Sequence, residues 1–407
     1  MSITTDTVGT RFSQRLEPAF FDRVQARVRD ALVADGFDAL LTDDPEDVAY
    51  LTGFFHHPCE RPVAVWLDAD GRAVLMTPEL ERENAERQHA RAEIVSYAEF
   101  PGIRPPFASL AAAVASPGAV AGGRMRVAFT THMTNERLTA VSVQLPAAEF
   151  GPSTIVTHAR YLKFDEEIAL HREAARVTDL MLAAGVAHLR EAIASGGRLP
   201  SEAELTSVVT GAGVSTMYSE HDDVVVVSPL AGGLIYAGAN SAFPHGLPSG
   251  YRLQLGDTFM LSLGCAVGGR FVEGERTFVL GTPSDEQRRF HDAVRQAQEV
   301  GGSAIRPGAE CREANETCLA VIRDAGLGQY LRHRQGHGIG LGMHEPPWLE
   351  AGDDTLLEVG MVVSNEPGIY IPGHAGYRIS DSMLVTATGS EPLTAYPRGL
   401  DDCTIEL

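Results

Sequence analysis

At 407 residues the chain is long enough for two domains with separate cores, since a single core seldom exceeds ~250–300 residues. Apolar content of 44% and charged content of 21% are ordinary for a soluble globular protein, and a net charge of -21 argues against nucleic acid or an anionic membrane as partner. No apolar run approaches the ~20 residues of a bilayer span, MSITTDTVGTRF does not read as a signal peptide, and five scattered cysteines without a CxxC suit reduced thiols, so a cytoplasmic protein is expected.

The first predicted element is an amphipathic helix from Phe20 to Ala34, closed by Gly36, and the short apolar strand DALLT follows. PEDVAYLTG opens a further helical turn. PVAVWLDADGRAVLMTP predicts a hairpin, with apolar runs on either side of an Asp-Gly turn. MRVAF and NERLTAVSVQL read as strand then helix, so a small α/β domain ends near Gly151 to Leu162. The next segment, DEEIALHREAARVTDLMLAAGVAHLREAI, predicts a long helix with Asp165 as its cap and acidic residues in its first turn. Ser201 and Glu204 have the spacing of a capping box. DEQRRFHDAVRQAQEVGGSAI and RPGAECREANETCLAVIRDAG repeat the order of long helix, turn and second helix, which predicts a diverged internal duplication. Short β-branched strands lie around and between: GDTFMLSL, RTFVLG, MVVSNEP and SMLVTATG.

Four blocks carry the chemistry: GDTFMLSLGCAVGGRFVEGERTF (Gly256 to Phe278), HGIGLGMHEPP (His337 to Pro347), SNEPGIY (Ser364 to Tyr370) and GYRISD (Gly376 to Asp381). One of them alone is a weak signal; all in order, after PHGLPSG, are specific. Together they resemble the pita-bread family of methionine aminopeptidase, Xaa-Pro aminopeptidase, prolidase and creatinase. The likeness covers Tyr161 to Pro397, and more loosely the first domain through DPEDVAYLTGF and CERPVAVW. It implies an α/β (α+β) architecture: a creatinase/prolidase-type N-terminal domain over residues 1–160, then a pita-bread domain of two duplicated halves over 161–407. It also implies a homodimer, because relatives build the site across two chains.

In the metallopeptidases of that family two Asp, one His and two Glu hold two divalent ions. The resemblance puts these positions at Ser262, Glu273, His337, Glu366 and Ser380. Two are hydroxyls and a third is one methylene longer, so a two-metal site is not expected. Creatinase, which works without a metal, matches at His245, Glu275, His337 and Glu366, and its substrate-carboxylate arm matches Arg61-Pro62. Glu275 precedes Arg276-Thr277 where metallopeptidases usually carry Thr. The chain departs from creatinase in keeping the peptidase-like MHEPP loop with His344, and in the extra acid Glu273. SAFPH, leading to His245, is shared with ectoine hydrolase, a cyclic-amidine-opening relative.

A hydrolase without a metal needs a side-chain base with a pKa near the operating pH, and His245 takes that role, passing its proton to the leaving nitrogen. Glu275 and Glu366 would repel each other as buried carboxylates unless a cation lay between them, and an amidinium or guanidinium fits that need. His337 and His344 would stabilise developing negative charge, Glu273 would add a binding carboxylate, and Arg61 would clamp a substrate carboxylate. His56, His57, His221, His333 and His374 read as ordinary loop or surface residues. The expectation is thus a metal-independent, cofactor-free hydrolase of a non-peptide C–N bond in a small cationic amidine, guanidine or cyclic amidine. Two other readings stay open. One is a metal-dependent Xaa-Pro dipeptidase or aminopeptidase with an altered site, its single divalent ion on His337, Glu366 and Glu273. The other is a non-catalytic binding protein on the same fold.

Overall fold

The computed structural model describes residues 11–99, 104–115, 125–227 and 229–406. These form two compact units, one comprising Arg15–Arg160 with Val225–Val227 and the other the remaining described residues. No helix among the described residues is long and apolar enough to cross a membrane.

In the first unit the helix Pro18–Ala34 is followed by strand Ala39–Thr42 and the antiparallel hairpin Ala64–Asp68 and Ala73–Pro78. The Asp-Gly signal lies in the turn, with Gly71 at a positive φ of 107°. A mixed six-stranded sheet results among the described residues. Its two edge strands, Glu93–Tyr97 and Ala148–Ser153, went unread in the sequence. Edge strands are half exposed, so they lack the apolar runs that mark inner strands, and the second also contains Gly151 and Pro152. Leu41, Trp66, Met76 and Val127 are fully buried in the core of this unit.

The second unit begins with two helix pairs separated by strands. Helices α1 (Asp165–Ala194) and α2 (Glu202–Glu220) form one pair, α3 (Asp285–Ala304) and α4 (Cys311–Asp324) the other. Capping boxes start α2 (Ser201 with Glu204) and α3 (Ser284 with Gln287). Asp165 is the first residue of α1 rather than its cap; Glu167 caps instead, accepting from the Phe164 N–H at 3.0 Å.

The strands are β1 (Ala231–Ala237), β2 (Thr258–Val267), β3 (Arg270–Leu280), β4 (Gly336–Gly338), β5 (Glu345–Leu349), β6 (Val362–Asn365), β7 (Gly368–Ile371), β8 (Ala375–Arg378), β9 (Ser380–Thr386) and β10 (Gly389–Pro392). Most join one sheet in the order β5-β4-β6-β9-β3-β2-β1, while β7 and β8 pair separately. Strand β3 is buried at all eleven positions, yet it carries Arg270, Glu273, Glu275 and Arg276. A buried charge must be paired or neutralised, so the partners of these four side chains define the centre of the unit.

Candidate active site

Two of the four charges on β3 are satisfied away from the cavity. Arg270 pairs with Glu167 at 2.9 Å, and Arg276 with Asp381 at 2.7 Å. Glu273 and Glu275, two residues apart, project from the same face of the strand. They line a cavity of about 850 Å³ together with Ser262, His245, His333, His337, His344, Glu366 and Arg378. The sheet register fixes the arrangement: Glu275 lies directly between Ser262 on β2 and Ser380 on β9.

Glu275 is held chiefly through Oε1. The Ser262 hydroxyl donates to its Oε1, the Arg378 Nη2 donates to the same oxygen at 2.7 Å, and Arg378 Nε meets its Oε2. Glu273 accepts from the Ser380 hydroxyl at 2.8 Å through Oε1, which leaves Oε2 turned toward His337, 3.7 Å from its Nε2. Glu366 follows β6 and places Oε1 3.2 Å from the same nitrogen. Strand β4 presents His337 because Gly336 permits an approach no side chain would: a Cβ there would lie 2.1 Å from the Ser364 carbonyl oxygen. The His337 Nδ1 faces the Gly338 carbonyl at 3.0 Å, so Nδ1 carries a hydrogen. Its Nε2 is buried without a well-aligned hydrogen bond among the described residues.

Burial and the neighbouring charge of Glu366 push the Glu273 carboxyl well above its ordinary range. Burial would also raise Glu366, but the His337 contact and charge outweigh it and hold Glu366 low. Burial acts to lower His337, and Glu273 and Glu366 reverse that and raise it. The three groups are thus linked: the Glu273 carboxyl is pushed toward its neutral form, while His337 and Glu366 hold each other toward their charged forms. A divalent ion would take the place of any proton they hold, since metal ligands must be deprotonated. Burial, reinforced by His337, lowers His344 to about 4, so this imidazole is neutral at pH 7. Its ring lies edge-on to His337 with centroids 4.2 Å apart.

Ligand atoms from Glu273, His337 and His344 lie within 4.8 Å of one another. Two imidazoles with two carboxylates beside them suit a divalent transition ion, and the buried His337 Nε2 points between Glu273 and Glu366. The residues present fit one such ion.

Of the residues picked from sequence, Glu273, Glu275, His245, His337, His344 and Glu366 line this cavity, with His245 exposed in the loop after the 3-10 turn Gly238–Ala242. Arg61 belongs to the other unit, pairs with Glu99 at 2.7 Å and with Glu60, and is not among the lining residues. His333, read as an ordinary loop residue, does line the cavity and meets the Tyr370 hydroxyl at 2.9 Å. Arg378 was missed. The signal was its place two residues before Ser380 and the need of three buried carboxylates for a cation.

Residues 169–387 match metallopeptidase family M24, and residues 25–162 match the creatinase/prolidase N-terminal domain. The protein named "Putative dipeptidase YkvY" of Bacillus subtilis (strain 168) is 31% identical over 390 residues, covering 93% of this chain and 99% of its own. An Xaa-Pro dipeptidase structure from Bacillus anthracis shares 29% identity and a TM-score of 0.79, covering 95% of this chain and 100% of its own. Dipeptidase PepE from Mycobacterium ulcerans shares 26% identity and a TM-score of 0.81, covering 97% and 100%.

These likenesses overturn the expectation of a metal-independent hydrolase of amidines or guanidines: the relatives are named as dipeptidases. The structure supplies a physical reason, because the Glu275 carboxylate meant for a substrate cation is already taken by Arg378. The expectation of no cofactor is overturned as well, by the metallopeptidase match and by the grouping of Glu273, His337 and His344. With both domains matched in order along its length, the chain is a pita-bread hydrolase and belongs to metallopeptidase family M24.

Proposed function

We propose that the protein is a metal-dependent Xaa-Pro dipeptidase or aminopeptidase with an altered metal site, in which Glu273, His337 and Glu366 hold a divalent ion and His344 lies within reach. The observation that carries this reading is the buried His337 Nε2, aimed between two carboxylates with no well-aligned hydrogen bond of its own. A bound divalent ion in such a site polarises a carbonyl and lowers the pKa of water. The chain's own groups do the rest. The Ser380 hydroxyl orients Glu273, and the Gly338 carbonyl fixes the His337 tautomer. His245 and neutral His344, both on the cavity wall, are placed to accept or return a proton. Leu234, Pro244, Leu263 and Phe271 give an apolar wall suited to a pyrrolidine ring. Arg332 bonds only the Gln329 and Leu331 carbonyls among the described residues, which makes it available for a dipeptide's terminal carboxylate. The same reading includes the homodimer that the family resemblance implies, and a cytoplasmic location supported by five free thiols.

The test is hydrolysis of Xaa-Pro dipeptides against matched dipeptides lacking proline, before and after chelation. Activity should vanish on chelation and return with manganese or cobalt. His337→Ala should lower kcat/KM by ~10³-fold or more, about 4 kcal/mol of transition-state stabilisation. Full activity in chelated protein would sink the proposal.

A further inference from the structure

We infer that Glu202 is the positioning residue of the His245 loop: its buried carboxylate ties the two ends of that loop together and so sets where His245 stands on the cavity wall. The inference rests on the proton-transfer role given to His245 above. The His245 side chain is exposed and makes no hydrogen bond or ion pair of its own among the described residues, so its place is set by the loop backbone. Glu202, by contrast, is the first residue of α2 and is 0% exposed. Its Oε1 accepts from the Ala237 N–H at 2.8 Å and from the Asn240 Nδ2 at 3.2 Å. Its Oε2 accepts from the Ser249 N–H at 2.8 Å, the Ser249 hydroxyl at 2.6 Å and the Asn240 Nδ2 at 3.3 Å. Ala237 ends β1, where the chain leaves the sheet, and Ser249 follows His245. One carboxylate thus closes the loop.

The donors around Glu202 are neutral N–H and O–H groups, and a carboxylate can accept from all of them because it has no hydrogen to misplace. The amide of a glutamine would turn its NH2 toward a backbone N–H at one end of the loop or the other. The first turn of a helix also suits an acidic side chain. Two further contacts seat the middle of the loop. The Ser241 hydroxyl accepts from the Gly376 N–H at 2.8 Å, and a Cβ at Gly376 would lie 2.0 Å from the Ser241 carbonyl oxygen. The Tyr236 hydroxyl donates at 2.9 Å to the carbonyl of Pro244, the residue before His245. Glu202 fixes the two ends between which these contacts are strung. It is not among the residues that line the cavity, so it reaches the chemistry only through the loop.

The experiment compares the full-length native protein with Glu202→Gln, His245→Asn and the double variant, in the presence of manganese, in two arms. In amide hydrogen exchange, residues 238–249 of Glu202→Gln should exchange at least ~10-fold faster than in the native protein, with β2 and β3 unchanged. In Xaa-Pro hydrolysis, Glu202→Gln should lower kcat by ~10–100-fold, as displacement of a proton-transferring group does. In the His245→Asn background the same change should cost less than about twofold, because the group it positions is gone. A merely structural role would lower kcat by the same factor in both backgrounds. That result would overturn the inference, and so would native exchange rates in Glu202→Gln. If Glu202→Gln does not fold, Ser249→Ala removes the 2.6 Å hydroxyl donor alone and should show the same contrast between backgrounds. The exchange arm needs no substrate. A native protein that hydrolyses no Xaa-Pro dipeptide defeats the proposed function, and the inference then stands or falls on exchange.

Discussion

Arg276 and Asp381 show what complete burial demands of a charge. Both side chains are 0% exposed, and they pair at 2.7 Å. Arg276 also donates to the backbone carbonyls of Glu275 and Ser380, so the pair pins β3, where Glu275 lines the cavity, to β9, where Ser380 holds Glu273. Asp381 accepts from Gln298 at 2.6 Å and Thr394 at 2.7 Å. Asp381→Ala should cost ~3–5 kcal/mol, because it leaves a buried guanidinium without its counter-charge. Chemical denaturation reads that loss directly, and a change under ~1 kcal/mol would class the pair with surface ion pairs. Little of this was legible from sequence. Glu273, His337 and Glu366 stood out because each sits in a motif of characteristic spacing. Arg378 and Asp381 lie in the same GYRISD block, but their partners come from β3, whose register against β9 no local pattern records.

The strands that carry the site were harder to read than the helices, for one reason. Helix α2 announces itself through its capping box and α3 through an apolar repeat of 3.6, both local in sequence. Strand β3 was recognised only from Arg276 onward, since charges at Arg270, Glu273 and Glu275 and the glycine Gly274 break the apolar run over its first half. The fold tolerates those charges because neighbouring strands and α1 supply their partners, which is tertiary information. Close approach of strands is a second hidden constraint. Gly336 on β4 lies against the Ser364 carbonyl on β6, where a Cβ would sit at 2.1 Å. Gly336→Ala should therefore force β4 away from β6, costing ~1–3 kcal/mol as other overpacked sites do. The displacement falls on the residue next to His337, so manganese affinity should drop along with stability. A variant that binds manganese as the native protein does would show that the two strands can part without moving the imidazole.

At the scale of the whole chain, acid stability depends on imidazoles the fold buries without charge. His171 on α1 is 0% exposed; burial, with Lys163 and Arg270 nearby, lowers it to about 3. Its Nδ1 meets the Phe271 carbonyl at 2.9 Å and its Nε2 has no hydrogen-bond partner among the described residues. His291 on α3 is 1% exposed, and burial lowers it to about 4 against the opposing pull of Asp292. In the unfolded chain both would take a proton near pH 6.5. Above that pH both states leave the rings neutral, and the histidines' contribution is fully present. As pH falls below about 6.5 the unfolded state binds protons that the folded state refuses, so stability declines until the folded pKa is reached. Each ring contributes a slope of up to ~1.4 kcal/mol per pH unit within that window. The net charge of -21 works in the opposite sense, because carboxylates that gain protons relieve the chain's self-repulsion. Comparing slopes separates the two. Denaturation of the native protein and of His291→Leu, followed from pH 7 to pH 4, should give a shallower decline in the variant by about one proton's worth. The carboxylate contribution is common to both proteins and cancels in the difference. Equal slopes would mean that His291 takes its proton in the folded state, which the apolar packing around α3 does not allow without local opening.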